Sequence, residues 1–154
     1  MEFMCAYHRR QFEALTLRQQ QDLWLFWMES ALSHYERLDW RSGASLAGCA
    51  FDLSWLAHQR HREACMPVEM TLAAIFAARV LSEQGESGQA ETVIELALKR
   101  LAASEPLWDE SVPDEVKKCL QVLMDPPRQV DFFETYLNWP EILNAPTWSL
   151  PVYH

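Results

Sequence analysis

Apolar positions along this chain recur at steps of three and four residues, which is the spacing of one face of an α-helix. The first apolar stripe runs through residues 17–39, directly after Thr16 and Gln19, which stand at capping-box spacing. Alternation with a period of two, which is typical of a half-buried strand, is not sustained anywhere in the sequence. The pattern therefore predicts an all-α fold.

Short breaks arrange the predicted helices in pairs within a single domain over residues 1–154. The tight breaks lie near residues 40–43, 85–87 and 125–127. The sequence thus predicts three stacked antiparallel helical hairpins, at about 17–60, 67–103 and 112–138. We expect Ser42 and Ser87 to cap the second helix of the first two hairpins. Residues 139–154 contain three prolines and predict an extended C-terminal tail.

The residues around the first two breaks resemble tetratricopeptide (TPR) repeats over about 29–103. The matching positions are Ala31, Tyr35 and Leu38 with Ala47, Phe51 and Ser54, and then Ala74, Ala78 and Leu81 with Ala90, Ile94 and Ala97. The corresponding positions Ala47 and Ala90 are 43 residues apart, against about 34 in that family. A TPR-like α-solenoid and an irregular helical bundle are therefore both open interpretations.

The resemblance implies a concave surface that is formed by the first helix of each hairpin. Carried over position by position, the partner-binding residues are Glu29, Leu32, Glu36, Asp39, Trp40, Leu72, Ile75, Arg79 and Glu83. Because most of the charged residues in this set are acidic, it implies a protein partner that offers a basic or amphipathic segment. The function that follows is a non-enzymatic interaction module, which could be an adaptor, a chaperone or a regulatory subunit.

The charge balance excludes several classes of partner. The chain has 13 Lys and Arg against 22 Asp and Glu, a net charge of −9, which disfavours nucleic acid and anionic membrane surfaces. No apolar run has the length of a membrane span or a signal peptide, so we expect a cytoplasmic protein. The four scattered cysteines predict free thiols, with Cys49 and Cys119 protected in the core and Cys5 or Cys65 reactive.

One group of residues supports an alternative function, that of a metal- or ligand-binding helical protein, which could be an enzyme. His58, His61 and Cys65 share a helix face, and Cys5 and His8 could complete a zinc site. A basic, solvent-facing helix end is the other interpretation of the same residues. The sequence has no Gly-x-Ser-x-Gly motif and no glycine-rich phosphate loop. It therefore predicts no catalytic residue and no cofactor.

The sequence does not decide what two groups of aromatic residues pack against. Trp24, Phe26 and Trp27 lie within four positions, so at least one should be exposed or meet another surface, and a homodimer is possible. The aromatic tail from Trp139 onward could pack on its own domain or on another chain. The second methionine, Met4, also leaves open whether the first three residues are native.

Overall fold

The computed structural model describes residues 3–60, 66–104 and 114–139, and every regular element in these ranges is an α-helix. This confirms the all-α prediction. The helices are α1 (Ala6–Glu13), α2 (Leu17–Glu36), α3 (Trp40–Arg60), α4 (Pro67–Glu83), α5 (Ser87–Ser104), α6 (Asp114–Met124) and α7 (Pro126–Leu137). Helices that are adjacent in the chain pack against each other, and tight turns join α2 to α3, α4 to α5 and α6 to α7. Of the predicted tail, only Trp139 lies within the described residues.

Helix α1 is the element that the hydrophobic pattern did not predict. None of its eight residues is buried, so it presents no apolar stripe from which a helix could be read. It begins after Cys5, whose backbone is extended, and it packs against α3. The helix that follows starts as expected, because Thr16 and Gln19 form a complete capping box at the N-terminus of α2.

The first two hairpins turn through the same backbone motif. After α2, the Leu38 N–H donates to Tyr35 O at 3.0 Å and the Asp39 N–H donates to His34 O at 2.8 Å. After α4, the equivalent bonds join Gly85 to Ser82 and Glu86 to Leu81, at 3.0 and 2.9 Å. This pair of bonds is the Schellman motif, which places one residue in the left-handed region. That residue is Leu38 in the first turn, with φ +65°, and Gly85 in the second, with φ +83°.

Both predicted serine caps are wrong. Ser42 lies inside α3, because Asp39 takes the capping position and accepts the Ser42 N–H at 3.3 Å. Ser87 is the first residue of α5 and follows the cap position. The first turn is also shifted ahead of the predicted break, since Gly43 is helical and allows α3 to approach α2. A Cβ at position 43 would lie 3.3 Å from Ala31 O.

Helix α4 forms the centre of the molecule. Fourteen of its seventeen residues are buried, and it packs against α2, α3, α5, α6 and α7. The Phe76 ring contacts Tyr35 of α2 at a centroid distance of 5.8 Å and Trp139, beyond α7, at 5.6 Å, both edge-on. One buried ring thereby joins the first hairpin to the last. Each fully buried large apolar side chain stabilises the fold by about 1.5–3 kcal/mol.

We predict that Leu38→Gly stabilises the protein by about 0.5–1 kcal/mol, because glycine adopts a positive φ without the steric cost that leucine pays. The Leu38 side chain is 73% exposed, so its removal loses little packing. Chemical denaturation monitored by circular dichroism measures the change. Gly85→Ala is the matched control at the equivalent turn and should lose about 1 kcal/mol. No gain from Leu38→Gly, or an equal loss at both positions, would contradict the account of the turns.

Candidate partner-binding surface

Helix α2 buries one face and presents the opposite face to solvent. Its buried side chains follow the spacing of a single stripe, namely Gln20, Trp24, Met28 and Ala31. On the opposite side, a set of residues that we call the acidic α2 face is exposed to solvent: Asp22, Leu25, Phe26, Glu29 and Glu36. Phe26 is 63% exposed and Leu25 is 41% exposed. This face therefore combines accessible apolar area with carboxylates.

The carboxylates on the acidic α2 face form only weak ion pairs with other residues of the chain. Asp22 faces Arg18 at 3.9 Å, but both side chains are more than two-thirds exposed, so the pair is screened by water and contributes little. Glu29 and Glu36 lie about two and four turns further along the same face. Carboxylates in this state keep their charge available to an incoming cation.

Asp39, a predicted partner residue, has a structural role. Its carboxylate caps α3 through the Ser42 N–H and faces His34 Nδ1 at 2.9 Å. Hydrogen bonds from Ser42, followed by the contact with His34, hold the pKa of Asp39 below its usual value. A partner at this position would have to share a carboxylate that the turn already uses.

The structure separates the nine predicted partner residues into two groups. Glu29 and Glu36 are exposed, and Leu32 and Trp40 are half-buried. The expectation that Leu72, Ile75 and Arg79 line an open groove is corrected, because all three are at most 2% exposed. They belong to α4, which neighbouring helices cover, so these side chains serve the core instead of a surface.

The remaining predicted residue, Glu83, belongs to a cluster between α2 and α4. Arg79 Nε donates to the Tyr35 hydroxyl at 3.2 Å, and Arg79 Nη2 lies 3.8 Å from Glu83 Oε1. Burial raises the pKa of Tyr35, and the Arg79 charge opposes that rise. Burial also lowers the pKa of Arg79, while Tyr35 and Glu83 act in the opposite direction. Through the Arg79–Tyr35 hydrogen bond, the cluster therefore links α2 to α4.

Most of the predicted metal ligands lie outside the described residues. This applies to His61 and Cys65, and to the side chain of His58. The other two candidates do come together, since Cys5 Sγ and His8 Nδ1 are 3.1 Å apart at an exposed position. Within the described ranges, no group of three or more His, Cys, Asp or Glu side chains is arranged to hold a metal ion.

The thiols described by the structure differ in environment. Cys5 is exposed, Cys49 is half-buried and Cys119 is buried, and all three are free. Burial raises the pKa of Cys49 to about 11, with smaller contributions from the charges of Asp52 and Cys5. Burial is also the main cause that raises the pKa of Cys119 to about 11. The Cys49 and Cys119 thiols are therefore almost entirely protonated near neutral pH.

Comparison with known proteins gives no relative from which to assign a function. No family model, no curated protein and no solved structure matches this chain. Among the helices that the structure describes, none is both long enough and apolar enough to cross a membrane.

Sequence reasoning missed Asp22, Leu25 and Phe26 as surface residues, although it contained a signal for one of them. The crowding of Trp24, Phe26 and Trp27 predicted at least one exposed ring, and Phe26 is that ring. Trp24 is buried, while Trp27 is half-buried and meets Phe12 edge-on at 5.2 Å. Placing the three residues on a helical wheel opposite the buried stripe would have identified Phe26.

We predict that Ile75→Ala destabilises the protein by about 2–5 kcal/mol, because it leaves a cavity in the core around α4. Phe26→Ala should change the unfolding free energy by no more than about 0.5 kcal/mol, since the ring lies in solvent. Urea denaturation of both variants measures the difference. A small loss for Ile75→Ala would restore that residue as a surface candidate.

We also predict that Cys5 is alkylated by iodoacetamide in the native protein long before Cys49 and Cys119. The thiolate is the reactive form, and a pKa of about 11 leaves both protected thiols protonated. Mass spectrometry of digests taken over time resolves each site. Addition of denaturant should bring Cys49 and Cys119 to the rate of Cys5, and equal native rates would contradict the burial described here.

Proposed function

We propose that this protein is a non-enzymatic interaction module that binds a basic, partly apolar segment of a partner protein through the acidic α2 face. The observation that carries the proposal is the exposed Phe26 ring, with Asp22 and Glu29 one turn to either side on the same helix face. Burial of this ring against a partner removes apolar area from water, which is a common source of binding free energy at interfaces.

The chemistry of the partner follows from the two components of the face. Leu25 and Phe26 offer the apolar anchor, and they require apolar side chains opposite them. The carboxylates of Asp22, Glu29 and Glu36 favour Lys or Arg around that anchor. The net charge of −9 adds a long-range attraction for a cationic segment.

The proposal extends to a TPR-like stack in the cytoplasm. In its favour, Leu38 and Gly85 occupy equivalent positions of the same turn motif, 47 residues apart in sequence. A stack of related hairpins predicts such repetition of one turn. The free thiols of Cys5, Cys49 and Cys119 favour a reducing compartment.

Affinity capture from the native host followed by binding measurements tests the function. A partner that is captured by the wild type should bind Phe26→Ala about 30-fold more weakly, the loss of about 2 kcal/mol that a hot-spot residue shows. Glu29→Lys should mainly slow association, and the wild-type association rate should fall as salt increases. Surface plasmon resonance with the purified partner gives both rates.

The chain offers a matched control for each variant. Tyr136→Ala removes another exposed aromatic ring, from α7, and Glu91→Lys reverses an exposed carboxylate on α5. Both should bind like the wild type. A partner whose affinity and association rate ignore Phe26→Ala and Glu29→Lys would refute the proposed surface.

A further inference from the structure

The N-terminal segment is held on α3 through its backbone. The N–H groups of Phe3 and Met4 both donate to Asp52 Oδ2, at 2.6 and 3.1 Å. The Cys49 thiol donates to Phe3 O at 3.5 Å. Asp52 is 4% exposed, so its carboxylate is a buried acceptor for these backbone N–H groups. The two hydrogen bonds involve the main chain of the segment and not its side chains.

A glycine on α3 makes room for the ring of the same segment. A Cβ at Gly48 would collide with the Phe3 ring, although Gly48 lies inside a helix, where alanine is the better residue. Met4 beside it is buried. The site therefore accommodates an aromatic residue followed by an aliphatic one.

The C-terminal end of the segment, at Phe12, contacts α2. Gln20 Nε2 donates to Phe12 O at 2.9 Å, and the Phe12 ring meets Trp27 edge-on at 5.2 Å. Between these ends, α1 buries no residue of its own. Residues 3–12 thus contact the rest of the molecule at both ends, and α1 packs against α3 between them. We call the receiving residues Gln20, Trp27, Gly48, Cys49 and Asp52 the segment-docking site.

The main receptor group, Asp52, is also bound by a residue outside the segment. Asp52 Oδ1 accepts from Arg100 Nη1 at 3.0 Å, and this leaves Oδ2 for the backbone donors. Arg100 lies over the Phe51 ring, at 4.6 Å from its centroid. The carboxylate therefore has an attachment to α5 that does not involve the segment.

We propose that the segment-docking site binds an external protein segment of the same chemistry as residues 3–12, which occupy it within the chain. That segment has an aromatic–aliphatic pair followed by a short basic helix. The internal occupant shows which segment fits, because Phe3 and Met4 fill the site and Arg9 and Arg10 follow in α1. A cationic segment also complements the net charge of −9. The site lies apart from the acidic α2 face and does not rest on its proposed function.

A peptide with the sequence of residues 1–13, labelled at its C-terminal end, serves as the probe in fluorescence anisotropy with the full-length protein. Phe3→Ala in the protein weakens the internal occupant, so this variant should bind the peptide at least ten-fold more tightly than the wild type. Adding Gly48→Ala should then reduce the affinity at least ten-fold. The new methyl group excludes the phenylalanine ring of the peptide but does not clash with the alanine at position 3 of the protein.

Gly88→Ala in the same Phe3→Ala background is the matched control, because a Cβ at this helical glycine meets nothing within 4 Å. It should leave the peptide affinity unchanged. Equal affinities of the Gly48→Ala and Gly88→Ala variants, or no binding to the Phe3→Ala variant at millimolar peptide, would overturn the proposal.

Hydrogen exchange on the wild-type protein gives a second test, which does not depend on whether a variant folds. Amides of α1 should exchange at least ten-fold faster when the wild type is saturated with unlabelled peptide, since the peptide displaces the segment. Unchanged α1 exchange at saturation would refute displacement. A concentration-dependent dimer that Gly48→Ala abolishes would assign the site to a second copy of the chain and overturn the choice of an external partner.

Discussion

The burial of α4 on all sides is the constraint on which the rest of the structure depends. Its sequence is apolar around most of its circumference, so no single partner helix can cover it. The two hairpins that flank it in sequence and its own partner α5 must surround it. This explains why Leu72 and Ile75 are core residues, although the TPR resemblance assigned them to a groove.

Two buried arginines set how the helices are joined around that core. Arg79 of α4 meets the Tyr35 hydroxyl of α2, and Arg100 of α5 meets the Asp52 carboxylate of α3. Each contact places a polar group against a buried guanidinium, and removal of one member would take a hydrogen bond away from a buried polar side chain. Such contacts permit few alternative arrangements of the same helices. The position of the N-terminal segment depends on the second contact, because Asp52 also receives its backbone.

Helix α2 separates the two surfaces to which we assign binding. Its solvent face carries Phe26 with carboxylates one turn away, and a different side carries Trp27 and Gln20 against the N-terminal segment. A helix of twenty residues with only four buried side chains can serve both surfaces, since most of its circumference is available. The two proposed interactions therefore use different residues of one element and can fail separately.

The sequence by itself determined helices α2 to α7 and most of their ends, because apolar periodicity, the Thr16 capping box and Gly85 act over a few neighbouring residues. It also contained the signal for an exposed ring near Phe26. Only the tertiary structure decided the roles of Gly43 and Gly48, since Gly43 faces Ala31 O and Gly48 faces the Phe3 ring, contacts that no local pattern contains. It likewise decided which predicted surface residues are buried. Arg79 and Glu29 are both charged residues on helices, but only packing around α4 places the first in the core and leaves the second in solvent.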